Sequence, residues 1–415
     1  MDLNIKRALV IGSGVSGKGA AEALKTLGAE VVMTETMCEA ENIRSYDLIV
    51  VSPGVPPSHP IFGQAEREKV PLTGDIGLGA ALNAAPVIAV TGTNGKTTTV
   101  GMIGEIYAAA GIKATVCGNI GKSFAACAIA GGYERAVLEV SSFQLLHAAP
   151  LKPRIACLLN ITPDHLDYHG DMRSYIAAKM HIADFQTESD YLIVPPSVSV
   201  SGIKGTPVVL TEGRDFFADE WLNVFGKRVM PVSEISAKGA HNVKNALYAA
   251  VATYADRVSE SAIEYALSRF RTGAHRICAV GEFNGTCFYN DSKGTNVAAT
   301  LAAAECMTGN TALIAGGSDK SCDYGELFDK LPENVTAVYL TGANAEKMAA
   351  AATAAGGRFV KVCATLRECV SLCGRGGYDS VLFSPASASF DRYSGYAERG
   401  RAFEREIERL ISGTD

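Results

Sequence analysis

Short apolar runs recur along the chain, and each is followed by a glycine-rich or polar turn and then by a stretch with helical spacing. Runs of this length, rich in valine, isoleucine, leucine and alanine, predict strands buried on both faces, as in parallel sheets. The repeated order of strand, loop and helix predicts an α/β protein with doubly wound sheets. The runs are residues 8–11, 87–90, 136–140, 155–161, 311–315, 337–340 and 380–383.

The chain has 415 residues, which is too long for one ordinary hydrophobic core, so several domains are expected. The first set of predicted strands and helices closes at Pro86, and a turn at residues 272–276 follows a predicted helix. We therefore predict domains at residues 1–85, 86–272 and 273–415. Residues 195–235 have no clear period and predict only loops and short strands.

The segment with the most specific chemistry is Thr91-Gly-Thr-Asn-Gly-Lys-Thr-Thr98, which joins an apolar strand to a helical stretch. Its glycines allow backbone N–H groups to point at an anion, at a helix N-terminus whose dipole favours negative charge. Lys96 would reach the β- and γ-phosphates of a nucleoside triphosphate, and the Thr97 hydroxyl would bind Mg²⁺. The spacing departs from the standard phosphate loop at Val90, and the alternative is a tight turn with a chance Lys-Thr pair. The flanking strand and helix favour a triphosphate site formed by Gly92, Thr93, Asn94, Gly95, Lys96, Thr97 and Thr98.

A second glycine-rich loop, Gly12-Ser-Gly-Val-Ser-Gly17, follows the first strand and opens a helix. This pattern is weak by itself, because it fits NAD and equally another diphosphate at a helix N-terminus. Glu35, after the next strand, stands near the position that binds ribose in such folds. The third strand ends in the rigid turn Ser52-Pro53-Gly54.

Acidic and histidine residues follow the strands of the central region. Glu139 lies inside an apolar strand, where an unpaired carboxylate is costly, and in a phosphate-loop enzyme such an acid is an expected Mg²⁺ ligand. Asp164, His165, Asp167 and His169 follow the next strand and together resemble metal ligands, although a solvated turn is the commoner interpretation of such a loop.

Composition narrows the partners and the compartment. The formal net charge is −6 and no block of lysine or arginine occurs, which argues against nucleic acid or an anionic membrane as a partner. The 11 cysteines include no C-x-x-C pair, so reduced core cysteines are favoured over disulfides or a zinc site. No signal peptide or membrane-length apolar run is indicated, and we expect a cytoplasmic protein.

Taken together, these segments resemble the ordered motifs of the Mur ligases, the ATP-dependent amide ligases of peptidoglycan precursor synthesis. The resemblance covers essentially the whole chain. The shared motifs are residues 91–98, Glu139, residues 160–167, His241-Asn-Val-Lys-Asn245, His275-Arg276 and Asn290-Asp-Ser-Lys293. Three further segments are similar to the members that join D-glutamate to UDP-N-acetylmuramoyl-L-alanine: Ser141-Ser-Phe-Gln-Leu145, Asn160-Ile-Thr-Pro-Asp-His165 and Ser384-Pro-Ala-Ser-Ala-Ser-Phe-Asp391.

The resemblance implies a Rossmann-like N-terminal domain for the UDP-linked substrate, a central phosphate-loop ATPase domain, and a C-terminal doubly wound α/β domain for the amino acid. The residues implied for the UDP-substrate are Ser13, Gly14, Val15, Ser16, Gly17, Glu35, Ser52, Pro53, Gly54, Asn119, Ser141 and Gln144. The residues that the resemblance implies for ATP binding, in addition to the phosphate loop, are Asn242, Asn245, Arg276 and Asp291. Those implied for D-glutamate are Lys293, Thr295, Lys320, Ser389, Phe390 and Tyr396.

The resemblance also implies the catalytic set. It consists of Lys96, Glu139, His165 and Lys179, with Mg²⁺ in two sites formed by Thr97, Glu139, His165 and Lys179. By its pattern alone Lys179 is an ordinary surface lysine, but it matches a lysine that the family carbamylates. A free lysine, with a pKa of about 10.4, repels a cation, whereas its carbamate is an anion that can orient Mg²⁺.

The implied reaction has two steps. The substrate carboxylate attacks the γ-phosphate to give an acyl phosphate and ADP, and the D-glutamate amine then displaces phosphate. His165 is a candidate general base by position only. The sequence departs from the family at Thr34-Glu-Thr36, where an acidic uracil contact and an arginine are usual, so Glu35 is the candidate replacement.

Three alternatives remain at this stage. The chain could be another Mur ligase with a different amino-acid substrate, a folylpolyglutamate-type ligase, or a Rossmann NAD-binding sensor built on the Gly12–Gly17 loop. The three segments named above favour D-glutamate over the first two, and the phosphate loop with Glu139 argues against the sensor. We expect a monomer.

Overall fold

The structure, a computed structural model, describes residues 4–35, 42–211, 215–319, 323–356 and 358–413. Three parallel or mixed sheets flanked by helices confirm the prediction of an α/β protein, and a small antiparallel sheet accompanies them. The chain divides into two units, Met1–Ala237 with Asn242–Phe270, and Lys238–His241 with Arg271–Asp415. Within the described ranges, no helix is long and apolar enough to span a bilayer.

The first sheet of the first unit is parallel, and its two inner strands are almost completely buried. Its strands are β1 (Arg7–Ile11), β2 (Glu30–Thr34), β3 (Leu48–Val51) and β4 (Leu72–Gly74), in the order β2-β1-β3-β4. The accompanying helices are α1 (Val15–Thr26), α2 (Pro60–Glu68) and α3 (Asp75–Leu82). Because α1 begins inside the glycine-rich loop, the N–H groups of its first turn face the end of β1.

The second sheet of this unit is six-stranded and fully parallel. Its strands are β5 (Val87–Thr91), β6 (Ala114–Gly118), β7 (Arg135–Glu139), β8 (Ile155–Leu158), β9 (Tyr191–Val194) and β10 (Thr206–Val209), in the order β10-β9-β8-β5-β7-β6. Strand β5 is flanked by β7 and β8. The loops after these three strands therefore emerge side by side at one edge of the sheet, where ligands bind in such folds.

Seven helices accompany this sheet within the described residues: α4 (Lys96–Ala109), α5 (Phe124–Ala130), α6 (Ser142–Leu145), α7 (Leu166–His169), α8 (Met172–Met180), α9 (Ala240–Ala255) and α10 (Glu260–Leu267). A small antiparallel sheet of β11 (Phe217–Ala218), β12 (Trp221–Val224) and β13 (Lys227–Pro231) lies within residues 195–235, where the sequence predicted only loops and short strands.

A buried carboxylate joins the two parallel sheets of the first unit. Asp75, at the start of α3, accepts hydrogen bonds from Ser123 Oγ at 2.6 Å and from the backbone N–H of Phe124 at 3.0 Å. Burial raises the pKa of Asp75, and these hydrogen bonds oppose the rise. Helix α5 thereby packs against α1 and α3.

The second unit contains one six-stranded mixed sheet. Its strands are β14 (Cys278–Phe283), β15 (Thr286–Asn290), β16 (Thr311–Ala315), β17 (Val335–Leu340), β18 (Phe359–Val362) and β19 (Ser380–Phe383), in the order β14-β15-β19-β16-β17-β18. Only the pair β14–β15 is antiparallel. Its helices are α11 (Val297–Ala304), α12 (Gly325–Lys330), α13 (Ala345–Ala355), α14 (Leu366–Arg375) and α15 (Tyr396–Ser412).

Candidate active site

The loop between β5 and α4 has the backbone of a phosphate-binding turn. Gly92 and Gly95 have φ values of +152° and +87°, a region that glycine occupies without the strain of a Cβ. A Cβ on Gly95 would lie 2.3 Å from Asn245 Oδ1, so glycine is also needed for this close approach. Lys96 Nζ donates to the carbonyl oxygens of Gly92 and Thr93 at 2.8 and 2.9 Å. The ammonium group therefore lies against its own loop.

The loop after β8 holds the phosphate loop in place. The Asn160 side chain accepts from the Asn94 N–H at 2.9 Å and donates to the Asn94 carbonyl at 3.0 Å. Thr93 Oγ1 lies 3.1 Å from the Thr162 carbonyl oxygen and 3.2 Å from the Tyr175 hydroxyl. The shape of the phosphate loop is thus fixed from a neighbouring strand.

Lys179 is buried beside the phosphate loop, with 1% of its surface exposed. Its Nζ donates to the Gly92 carbonyl oxygen at 2.9 Å and lies 4.5 Å from the centre of the Tyr175 ring. Burial lowers the pKa of Lys179 to about 6, the positive charge of Lys96 lowers it as well, and Asp164 opposes them. At neutral pH this amine is therefore mostly unprotonated. The pattern-based expectation of an ordinary surface lysine is wrong.

Glu139, the last residue of β7, is 3% exposed. Its Oε1 accepts from Asn119 Nδ2 at 2.8 Å, and its backbone carbonyl accepts from the Asn119 N–H at the same distance. Among the described residues, no group donates a hydrogen bond to Oε2. A buried carboxylate oxygen without a partner is costly, and carboxylate oxygens are preferred ligands of Mg²⁺. The residue therefore fits the role of a Mg²⁺ ligand.

In the loop after β8, the described side chains do not come together as a metal cluster. His169 Nε2 is 2.9 Å from Ser142 Oγ, and its ring stacks on Phe143. His165, with a φ of +54°, packs edge-on against the same ring at 4.8 Å. No group of three histidine, cysteine or acidic side chains in the described parts of the chain is arranged to hold a metal ion. Since Mg²⁺ is often held by one or two carboxylates plus substrate phosphates, a Mg²⁺ site at Glu139 stays a prediction.

Two amides lie near the start of α9, and one of them, Asn245, contacts the phosphate loop at Gly95. Asn242 and Asn245 are each 6% exposed, and Asn245 Nδ2 donates to Asn242 Oδ1 at 3.3 Å. Both therefore belong to the surroundings of Gly95, and their contact with adenine or ribose stays a prediction.

Nine of the residues predicted for the UDP-substrate follow strands β1, β2 and β3 of the first sheet. Gly12 has a φ of +102°, and a Cβ there would lie 2.5 Å from Ser52 Oγ, so the two loops touch at this point. A Cβ on Gly17 would lie 1.9 Å from the Gly12 carbonyl oxygen, which excludes any larger residue from this turn. Ser13 Oγ donates to the Glu35 carboxylate. Gly14, Val15 and Ser16 lie where α1 begins, and Pro53 and Gly54 follow β3.

Ser141 and Gln144 form a capping box at α6. The Gln144 N–H donates to Ser141 Oγ at 3.3 Å, and Gln144 Oε1 accepts from the Ser141 N–H at 3.0 Å. Both side chains have a structural role in this arrangement, and their contact with the UDP-substrate stays a prediction.

In the second unit, the predicted ATP contact Asp291 is 6% exposed. Burial raises the pKa of Asp291 to about 7, against a hydrogen bond from Ser384 Oγ at 2.7 Å and the charge of Arg276. At neutral pH the carboxyl group is close to half protonated.

Five of the six predicted D-glutamate residues follow β15 or β19, which are neighbours in the sheet. Lys293 Nζ lies 5.0 Å from the centre of the Tyr396 ring, so these two residues come together. Ser389 is buried and the adjacent Phe390 is 75% exposed. Thr295 lies just before α11, and Lys320 falls outside the described residues.

Comparison with known proteins decides the family. The family model described as the Mur ligase middle domain matches residues 90–253, and that of the Mur ligase glutamate ligase domain matches residues 275–387. The chain is 37% identical to the UDP-N-acetylmuramoylalanine--D-glutamate ligase of Koribacter versatilis, over 99% of both chains. It is 35% identical to the enzyme of that name from Pelotomaculum thermopropionicum, again over 99% of both.

The chain belongs to the Mur ligase family. The fold agrees, since the MurF ligase of Thermotoga maritima, solved in complex with ADP, superposes with a TM-score of 0.64 at 16% identity, over 99% of both chains. The resemblance inferred from the sequence motifs is therefore confirmed, while the roles of individual residues stay predictions.

Two residues beside the phosphate loop of this Mur ligase were not singled out as site residues from the sequence. Tyr175 contacts both Thr93 and Lys179, and Asn160 was noted only as part of a longer motif. Tyr175 stands four positions before Lys179 on α8, and this spacing puts both on one helix face. The sequence could therefore have indicated that Tyr175 lies beside Lys179.

Proposed function

We propose that this Mur ligase joins D-glutamate to UDP-N-acetylmuramoyl-L-alanine with conversion of ATP to ADP and phosphate. The observation that carries the proposal is the 35–37% identity, over 99% of the chain, to enzymes with that name. The ADP complex of the Thermotoga maritima ligase supports the use of ATP. Such a reaction belongs to cytoplasmic synthesis of peptidoglycan precursors.

The domain assignment that goes with this function has three parts. Residues 1–85 would bind the UDP-linked substrate, residues 86–272 ATP, and residues 273–415 D-glutamate. The separate parallel sheets of the first unit and the mixed sheet of the second support this division. We further propose a monomeric enzyme.

The first chemical step needs charge neutralisation more than covalent help from the protein. Lys96 and the N–H groups at the start of α4 would bind the triphosphate, and Asn160 holds the loop in shape for it. Thr97, Glu139, His165 and Lys179 are the residues that would hold Mg²⁺. When bound, Mg²⁺ neutralises phosphate charge and polarises the γ-phosphoryl group.

Lys179 is proposed to act as its carbamate. The unprotonated amine adds to CO₂, forming an N–C bond and releasing one proton, so a neutral amine becomes an anion. Burial beside Gly92 and Lys96 supports this proposal, because it keeps the amine unprotonated at neutral pH. The carbamate would also pair with the Lys96 ammonium group.

In the second step, the D-glutamate amine attacks the acyl phosphate, an amide bond forms, and phosphate leaves. The protein must supply an aligned free amine and keep water away from the acyl phosphate. Lys293 and Ser389 are the proposed partners of the D-glutamate carboxylates.

The decisive experiment measures phosphate release from ATP with Mg²⁺ and UDP-N-acetylmuramoyl-L-alanine, offering D-glutamate, L-glutamate, L-lysine or diaminopimelate in turn. Release with D-glutamate alone is expected. Release with another of these amino acids would keep the ligase chemistry and refute the substrate. No release from folded protein that still binds ATP would refute the ligase function.

A further inference from the structure

A buried arginine in the first turn of α15 has backbone carbonyl groups as its partners. Arg399 is 3% exposed, and its Nη1 donates to the carbonyl oxygens of Ser387 and Ala388 at 2.9 and 3.0 Å. Its Nη2 donates to the Ser292 carbonyl at 2.8 Å, and its Nε donates to Ser292 Oγ at 3.1 Å. Burial lowers the pKa of Arg399 to about 10, which leaves it charged at neutral pH.

These partners belong to loops that follow the carboxyl ends of strands in the mixed sheet. Ser292 follows β15, and Ser387 and Ala388 follow its neighbour β19. A third loop, after β16, joins them, because the Ser318 N–H donates to the Ala388 carbonyl at 2.9 Å. The guanidinium group therefore donates hydrogen bonds to two neighbouring loops. One of its acceptors, the Ala388 carbonyl, also accepts a hydrogen bond from the third loop.

The same loops carry the residues proposed to bind D-glutamate. Lys293 is the next residue after Ser292, and Ser389 is the next residue after Ala388. The Ser292 hydroxyl also donates to the Tyr396 carbonyl at 2.8 Å, which joins the Lys293 loop to α15. A displacement of Arg399 would move both proposed ligand groups.

We propose that Arg399 is a positioning residue that fixes the Lys293 loop and the Ser389 loop in one relative arrangement and so sets the affinity for the amino-acid substrate. This inference rests on the proposed function for the identity of that substrate. The guanidinium group suits the task because its donors point in fixed directions from one plane. A lysine ammonium in its place cannot reach carbonyl groups of both loops with the same geometry.

The second unit contains a matched control. Arg358 donates from Nε to the Val335 carbonyl at 2.9 Å, from Nη1 to that of Phe328 at 3.0 Å and from Nη2 to that of Leu331 at 2.6 Å. It thus makes the same kind of contacts as Arg399. Arg358 lies just before β18 and donates to the residue that begins β17. It is therefore at the amino ends of the strands, whereas the proposed ligand loops follow the carboxyl ends.

The kinetic test compares Arg399→Lys, Ser292→Ala and Arg358→Lys with the unmodified chain. Arg399→Lys should raise KM for D-glutamate by about tenfold or more, because loss of one or more of the charge-assisted hydrogen bonds lets the two ligand loops leave the arrangement in which they bind the amino acid. KM for UDP-N-acetylmuramoyl-L-alanine should stay within about twofold. Ser292→Ala removes one acceptor of Arg399 and the hydroxyl donor to the Tyr396 carbonyl, but it keeps the bond from Nη2 to the Ser292 carbonyl, so it should show a smaller rise in KM for D-glutamate. Arg358→Lys should lower the thermal midpoint without changing either KM.

Hydrogen exchange measured by mass spectrometry tests the same inference independently of activity. Arg399→Lys should speed exchange in residues 316–318 and 386–393, and Arg358→Lys should leave these segments unchanged. The inference is overturned if Arg399→Lys lowers the thermal midpoint but leaves KM for D-glutamate unchanged, as Arg358→Lys should, or if exchange in these segments is unaltered. If the unmodified chain releases no phosphate with D-glutamate, the proposed function fails, and hydrogen exchange still decides the role of Arg399.

Discussion

Replacement of Asp256 gives the sharpest test of how the first unit is held together. This carboxylate follows α9, and its side chain is 4% exposed. It accepts from the Tyr107 hydroxyl at 2.9 Å and from Arg135 Nε at 2.6 Å, and Arg154 Nε lies 3.7 Å away. These partners come from α4, from β7 and from the residue just before β8, so one acid connects three separate elements.

The expected loss of unfolding free energy follows from the contacts that each variant keeps and removes. Asp256→Asn keeps an acceptor for Tyr107 but removes the charge opposite Arg135, whose side chain is 24% exposed. Breaking a buried ion pair by removing one partner costs about 3–5 kcal/mol, and the partial exposure of Arg135 puts the expectation at the lower end, about 3 kcal/mol. Tyr107→Phe removes one neutral donor while the acid keeps its arginine, so about 1 kcal/mol is expected.

The assay is urea unfolding followed by tryptophan fluorescence. Trp221 is the one tryptophan of the chain, and it lies on β12 in the same unit, so its signal reports this unit and not the other. With a slope of about 3 kcal/mol per molar urea, Asp256→Asn should lower the midpoint by about 1 M. Glu260→Gln, which removes an exposed ion pair with Lys227 in this unit, is the control and should shift it little. Equal shifts for Asp256→Asn and Glu260→Gln would refute the reasoning.

Three further predictions concern the candidate site. Glu139→Gln keeps a carbonyl oxygen for Asn119 and removes the charge, so kcat should fall on the order of a hundredfold with a higher Mg²⁺ requirement in phosphate-release assays; an unchanged Mg²⁺ titration would contradict its role. Lys179→Met should abolish ligation and the carbamate signal that carbon-13-labelled bicarbonate gives by NMR in the unmodified chain; absence of that signal in the unmodified chain would contradict carbamylation. The pKa of Asp291 rises from 3.8 to about 7 on folding, so the folded form binds its proton more tightly. The second unit should therefore lose on the order of 4 kcal/mol of unfolding free energy as pH rises from about 4 to about 7. Asp291→Asn should remove that part of the pH dependence in calorimetry, and a parallel pH profile would show that the carboxyl group does not titrate there.

The parts of the site that the sequence predicted are those encoded by consecutive residues. The phosphate loop could be recognised because the apolar strand, two glycines and Lys-Thr are contiguous, and the structure has a strand, a positive-φ turn and a helix there. The α/β class could be predicted for the same reason, from repeated local patterns. The antiparallel strand β14 was missed, since its residues are only half-buried at a sheet edge and carry no strong apolar period.

Burial of charged residues could not be predicted from local pattern. Lys179 stands among alanines on a helix whose sequence carries no strong apolar face, and only the packing of α8 against the loop after β5 removes it from water. Arg399 likewise lies in a helix rich in charged residues, and its contacts come from loops 11 and 107 positions away in sequence. Such contacts depend on the order of strands in the sheet, which a sequence pattern does not specify.

Glu139 and Lys179 present related electrostatic problems at one edge of the sheet. The acid has a buried oxygen for which no described residue donates a hydrogen bond, and the mostly unprotonated amine of Lys179 donates to the same Gly92 carbonyl oxygen as the Lys96 ammonium group. The carboxylate is costly without a partner of opposite charge, and burial beside the Lys96 ammonium group disfavours a positive charge on Lys179. A carbamate on Lys179 would place a negative charge beside the Lys96 ammonium group, and a divalent cation would bind the free oxygen of Glu139. Binding of the metal and the triphosphate would then offset the free energy that burial of these two side chains costs the folded protein.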